Sequence, residues 1–115
     1  MSDTANSVIA QLVNRRCSTS AVPVTPAQIH QWLPQIPRWN VEAGVLSRSF
    51  EFKNYYQTMA FVNAIAWIAH LEDHHPDLMV SYNRCIVHFT THSVSGLSEN
   101  DFISAAKIDA LPVPG

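Results

Sequence analysis

At 115 residues and 12.8 kDa the chain has the length of one domain, long enough to bury about two thirds of its unfolded surface without disulfide or metal staples. An apolar content of 47% with 14% charged residues excludes disorder, collagen-like repeats and coiled coil. Seven Lys and Arg against nine Asp and Glu give a net charge of −2, which leaves no electrostatic footprint for nucleic acid.

Two cysteines, Cys17 and Cys85, cannot build a disulfide framework and read as reduced thiols of a cytoplasmic protein. No stretch approaches the roughly 18 unbroken apolar residues of a membrane span, and the N-terminus has no basic region ahead of its short apolar patch, as a secretory signal would. Residues 1–24 read as an N-terminal arm, loosely held or with a short helix. Val8, Ile9, Leu12 and Val13 suit one or two amphipathic turns, but Arg15 to Val24 is rich in Ser and Thr. The domain proper, 25–115, opens at Thr25, an N-cap with Pro26 at the first helical position and Gln28 placed for a capping box. That helix is predicted to end near Leu33, because Pro34 and Pro37 cannot continue it. Trp39 to Val41 is a short strand candidate and Glu42-Ala43-Gly44 a turn. Val45 to Phe52 is a strand with Leu46, Phe50 and Phe52 on one face, interrupted by Arg48.

Asn54 caps a long helix predicted to reach about Asp73. Met59, Val62, Ala66 and Ala69 form its apolar line, and Phe61, Ile65, Trp67 and Ile68 carry that surface around most of the circumference. A second buried face, against another subunit, is expected. Pro76 ends the helical register. Leu78, Val80 and Tyr82 alternate as a strand, Asn83-Arg84 has the length of a tight turn, and Cys85 to Thr91 returns as the next strand. Gly96 opens a turn, and Ser98 caps a last helix with Asp101 three residues on. The order helix-strand-strand-helix-strand-strand-helix predicts an α+β domain, a four-stranded antiparallel sheet with three helices packed on one face.

Six histidines are many for this length, and all but His30 fall between residues 70 and 92. His70 and His74 are four apart at the end of the long helix, which sets them on one face. The third and fourth strands form a hairpin, so the start of one lies beside the end of the other. His74, His75 and His92 are therefore expected to converge at one sheet edge. His70 alone reads as a helix-end cation, His88 as a structural residue in mid-strand, and Asp101 as a helix cap. Trp32, Trp39 and Trp67 read as core or interface. Three convergent imidazoles suit a metal or proton transfer. Zinc would take His70, His74 and His92, yet Leu71 stands where a zincin carries its Glu, and adjacent histidines rarely share one ion. Imidazole gives or takes a proton near neutral pH. The residues alone leave both chemistries open. Nucleophilic catalysis and a phosphate-cradling loop find no support, with Cys85 in an apolar run, Cys17 on the arm and only three glycines in the chain.

The run His70-Leu71-Glu72-Asp73-His74-His75-Pro76, followed by Tyr82, by His92 ten residues later and by Asp101, resembles the signature of the pterin-4a-carbinolamine dehydratases. Leu33-Pro34, Trp39, Phe50-Glu51-Phe52, Thr91-His92 and Gly96-Leu97-Ser98 are similar to the family pattern as well, so the resemblance spans about residues 25–110. Leu78 stands where the family often has Trp, and His70 where many members have Glu. The resemblance implies a hydro-lyase that dehydrates 4a-hydroxytetrahydropterin, the carbinolamine, to the quinonoid dihydropterin in tetrahydrobiopterin recycling. It implies no metal and no other cofactor, the pterin being the substrate.

By the same resemblance His74 and His92 are the acids for the leaving hydroxyl, and His75 is a pterin-binding residue and base. Substrate contacts would fall on His74, His75, Pro76, Thr91, His92, Ser93 and Val94, with His70, Asp73, Tyr82 and Asp101 in support. A homodimer or homotetramer through helix 54–73 and the sheet edges is expected, with no nucleic-acid or membrane partner. The rival that the resemblance implies is a binding module, since animal members serve as dimerisation cofactors of a homeodomain transcription factor through the long helix.

Overall fold

A computed structural model describes residues 11–112; Val8 and Ile9 of the expected arm turns lie outside the described residues. The chain runs through α1 (Pro26–Trp32), β1 (Asn40–Glu42), β2 (Val45–Glu51), α2 (Tyr55–Glu72), β3 (Asp77–Ser81), β4 (Arg84–Phe89) and α3 (Glu99–Asp109). Short 3-10 turns stand at Leu12–Asn14, Leu33–Gln35 and His92–Val94. The strands form one antiparallel sheet in the order β1-β2-β4-β3, which is the expected α+β arrangement.

Local chemistry sets most boundaries. The Thr25 hydroxyl and the Gln28 amide complete the capping box of α1. The β1–β2 hairpin turns on Ala43 and Gly44, both at positive φ (52° and 76°), the backbone that a two-residue turn of matching twist requires. The Asn54 side chain accepts from the Gln57 N–H at 2.9 Å and starts α2. The second hairpin turn is displaced by one residue from its expected place. Ser81 pairs with Arg84, so Tyr82-Asn83 is the loop and Arg84 the first residue of β4. Thr58 Oγ1 donates to the Tyr82 carbonyl (3.0 Å) and the Phe52 N–H to that of Asn83 (2.8 Å). These bonds come from chain more than 20 residues away, so alternation within the hairpin does not report them.

The helices share one face of the sheet. Leu46, Phe50, Cys85, Val87 and Phe89 point into a core that also takes Trp32 from α1, Phe61 and Ile65 from α2, and Phe102 and Ile103 from α3. Arg48, on the same face, lies 4.0 Å over the Phe50 ring and pairs with Asp109 at 2.7 Å, so its stem packs while its charge is met. Among the described residues the other sheet face carries no helix, and it leaves Met79 exposed. On α2 the buried line is Thr58, Phe61, Ile65 and Glu72, and Ala66 of the expected line is exposed. Contact with the Phe50 and Phe52 rings decides this (centroids 4.5 and 5.0 Å from Phe61), because hydropathy alone favours no one face of so apolar a helix.

Residues 11–24 are fastened to the domain more firmly than their polar composition suggested. Leu12 is fully buried in the core, and its N–H donates to Gln35 Oε1 at 2.9 Å. The Val24 N–H donates to the Leu97 carbonyl at 3.0 Å, beside a bridge between Pro23 and Ser98.

Candidate active site

The end of α2, the exit of β4 and the first turn of α3 meet at Asp101, which is fully buried. Asp101 closes the capping box of α3, its Oδ2 accepting from the Ser98 N–H at 2.9 Å. The same oxygen accepts from the Thr91 hydroxyl at 2.8 Å, and Oδ1 accepts from His74 Nε2–H at 2.7 Å. Both carboxylate oxygens are thus occupied, and the imidazole is held with Nε2 inward and Nδ1 left for another partner. Phe89 stacks on that ring at 5.7 Å and 11°, which fixes its plane.

Asp73 delivers His74 to this position. Its left-handed backbone (φ 52°, ψ 42°) ends α2, and the N–H groups of Asp73 and His74 both donate to the Ala69 carbonyl. The expected shared face of His70 and His74 therefore does not form. His70 stays on α2, exposed and stacked on Trp67 at 5.4 Å, whereas His74 has left the helix.

Asp73, His74, Thr91 and Ser93 line one cavity of about 390 Å³. His75, Pro76, His92 and Val94 adjoin these residues in the chain without lining it. His75 and His92 are exposed, Pro76 and Val94 half-buried. The three histidines thus divide into one that is held and largely enclosed, with 13% of its side chain exposed, and two that stand on the flanking loops. Among the described residues no three His, Cys, Asp or Glu side chains are grouped so as to hold a metal ion. Tyr82 sits exposed at the hairpin tip, the far end of β3 and β4 from Pro76 and Thr91. His88 lies half-buried on the helix-free sheet face, opposite Ser47 and Asp77.

A further wall of the cavity comes from the arm, through Cys17, Ser18, Thr19 and Ala21. Glu72 holds this segment with Oε1 on the Cys17 N–H (2.8 Å) and Oε2 against Arg16 (3.0 Å) and Lys107 (3.8 Å). Asn100 accepts from the Ser18 N–H (2.9 Å) and donates to the Ser18 carbonyl (2.8 Å), and Arg15 pairs with Glu99. Burial pushes the Cys17 thiol up to about 11, against a lowering hydrogen bond from Ser104, so at neutral pH it is no nucleophile. Sequence reasoning missed this wall. The signal that pointed to it is Glu72, seven residues beyond Ile65 on the buried line of α2, where a carboxylate needs cations and N–H donors.

The model of the family described as pterin 4 alpha carbinolamine dehydratase matches residues 22–111. A Nitrosospira multiformis protein, provisionally named a pterin-4-alpha-carbinolamine dehydratase, is 51% identical over 109 residues, 95% of this chain and 96% of its own. One from Stenotrophomonas maltophilia, named likewise, is 64% identical over 87 residues, 74% of this chain and 75% of its own. The crystal structure of a transcriptional coactivator/pterin dehydratase from Brucella melitensis superposes with a TM-score of 0.74 at 31% identity, covering 77% of this chain and 97% of its own. With the family model matching most of its length and the curated relatives at this identity, the chain belongs to the pterin 4 alpha carbinolamine dehydratase family.

Proposed function

We propose that the protein is a hydro-lyase that dehydrates 4a-hydroxytetrahydropterin to the quinonoid dihydropterin by histidine acid–base chemistry, in tetrahydrobiopterin recycling. Family membership supports the reaction. The observation that carries the proton-transfer reading is His74, oriented by a buried carboxylate at the wall of a cavity bounded by Thr91 and Ser93. In this reaction the bond from ring carbon 4a to oxygen breaks as an imidazolium protonates the hydroxyl, and water leaves. The electron pair of the adjacent nitrogen closes a carbon–nitrogen double bond as a base takes that nitrogen's proton. No electrons leave the substrate, so positioned acids and bases suffice.

His74 and His92 are assigned as the acids, and His75 as the pterin-binding residue and base. Asp101 holds the His74 ring in one orientation. His75 and His92 are exposed on the segments that flank it, which supports giving them the contacts to the pterin. The test supplies carbinolamine from an aromatic amino-acid hydroxylase and follows its absorbance. The protein should accelerate the decay; wild-type protein that leaves the decay rate unchanged overturns the reading.

The uncovered side of α2, with Tyr55, Tyr56, Trp67 and Leu71 exposed, supports assembly into a homodimer or homotetramer. The same face favours a second reading, docking on another protein, and the Brucella relative is described as both coactivator and dehydratase. Light scattering separates the two, since a clean monomer would point to a different partner. Both cysteines are free thiols, which supports the cytoplasm as the compartment. Among the described residues no helix is long and apolar enough to cross a membrane.

A further inference from the structure

The cavity beside His74 has one wall that the dehydration itself does not use. Cys17, Ser18, Thr19 and Ala21 all precede residue 22, where the match to the family model begins. They are nevertheless built into the site. Glu72, directly before Asp73 and His74, holds Cys17; Asn100, directly before Asp101, holds Ser18 at both its backbone N–H and its carbonyl. The helix ends that aim His74 therefore also set the arm, and the wall is ordered before any ligand arrives, which spares a ligand the cost of ordering it.

The chemistry of the wall is specific. Beside Cys17 it is made of Ser18, Thr19 and Ala21, whose side chains carry two hydroxyls and a methyl group, all neutral. Ser18 Oγ accepts from the Ser20 N–H (3.0 Å) and keeps its own proton to donate, and the Thr19 hydroxyl has no hydrogen-bond partner among the described residues. A pterin has two ends to recognise. Its pyrimidine edge presents adjacent N–H donors, which suit a carboxylate, and the cavity carries Asp73 on the α2 side. Its other end bears the substituent on carbon 6, for which neutral hydroxyls beside a small apolar group are the fitting surface. Resting on the dehydratase reading, we propose that Ser18, Thr19 and Ala21 form a specificity wall that contacts the carbon-6 substituent and favours a hydroxylated side chain over a bare methyl group.

The experiment compares kcat/KM for two carbinolamines, one with a dihydroxypropyl and one with a methyl group at carbon 6, in wild type, Thr19→Val and Ala21→Leu. Wild type should prefer the hydroxylated substrate. Thr19→Val keeps the shape and removes the hydroxyl, so the preference should fall by about three- to tenfold, the worth of one neutral hydrogen bond. Ala21→Leu should lower it in the same direction by filling the space that the longer substituent needs, with circular dichroism confirming an unchanged fold. A wild type active on both substrates without preference overturns the wall alone, as does a preference that neither variant moves. A wild type inert on both overturns the dehydratase reading and the wall with it.

Discussion

Asp101 serves a helix cap, a threonine and a histidine with two oxygens, and it does so without access to water. That economy changes what removal of His74 should do. Spacing along the chain sets His74 and His92 alike outside the core, where truncation of either costs little; the structure separates them. His74→Ala leaves Asp101 Oδ1 buried without its partner, an expected loss of about 1–3 kcal/mol, and, on the proposed role of His74 as a general acid, turnover should fall by about 10²–10⁴-fold. His92 is exposed, so His92→Ala should lower turnover while stability stays within about 0.5 kcal/mol of wild type. Urea unfolding of both variants checks this, and equal midpoints would show that the Asp101 bond contributes nothing net. His88 faces the helix-free side of the sheet, away from the cavity. His88→Gln should therefore keep turnover near wild type, and a well-folded variant as impaired as His75→Ala would mean that the site has been misplaced.

Elements whose ends carry their own chemistry could be read from the sequence. Thr25 with Gln28, Asn54, and Ser98 with Asp101 mark three helix starts by side chains that satisfy N–H groups within a turn, and all three stand where they were expected. What could not be read depends on partners distant in the chain. Thr58 and Phe52 move the second hairpin turn by one residue, aromatic rings on β2 and just beyond it choose the buried side of α2, and a left-handed Asp73 sends His74 to Asp101 instead of leaving it beside His70. The candidate site was legible as a region, through the crowding of His70 to Pro76 against Thr91 to Val94, but not as a geometry. The arm was hidden for the same reason, since its anchors Glu72, Glu99 and Asn100 lie 55 to 84 residues from what they hold. Glu72→Ala should free the segment 15–21, because the Cys17 N–H and the cations of Arg16 and Lys107 lose their common acceptor. Trypsin should then cut after Arg15 and Arg16 faster than in wild type while the rest of the domain resists. Equal cutting rates in native wild type and variant would show that Glu72 does not hold the arm.

For the molecule as a whole, a sheet covered on one side and a long helix covered on one side leave two surfaces to account for. The helix surface is the more demanding. Trp67 is 62% exposed and Tyr56 82%, with Tyr55 and Leu71 beside them, and each such side chain gains about 1.5–3 kcal/mol when it is fully buried. The edge strand β3 offers less, Met79 and Val80 next to unpaired backbone. Trp67→Asp is the discriminating variant. Its site lies away from Phe61 and Ile65, which face the core, so the protomer should keep its circular dichroism spectrum. Losing the indole and placing a carboxylate against the partner should weaken association by at least tenfold for each roughly 1.4 kcal/mol removed. If the proposed dimer or tetramer forms through this face, light scattering at micromolar concentration should show it in wild type and a smaller species in the variant. If the mass is unchanged in Trp67→Asp but falls in Val80→Pro, with the circular dichroism spectrum kept, the assembly is held by the β3 edge and the helix face is left for a different partner, because the Pro change removes a backbone N–H of the edge strand and alters no residue of α2.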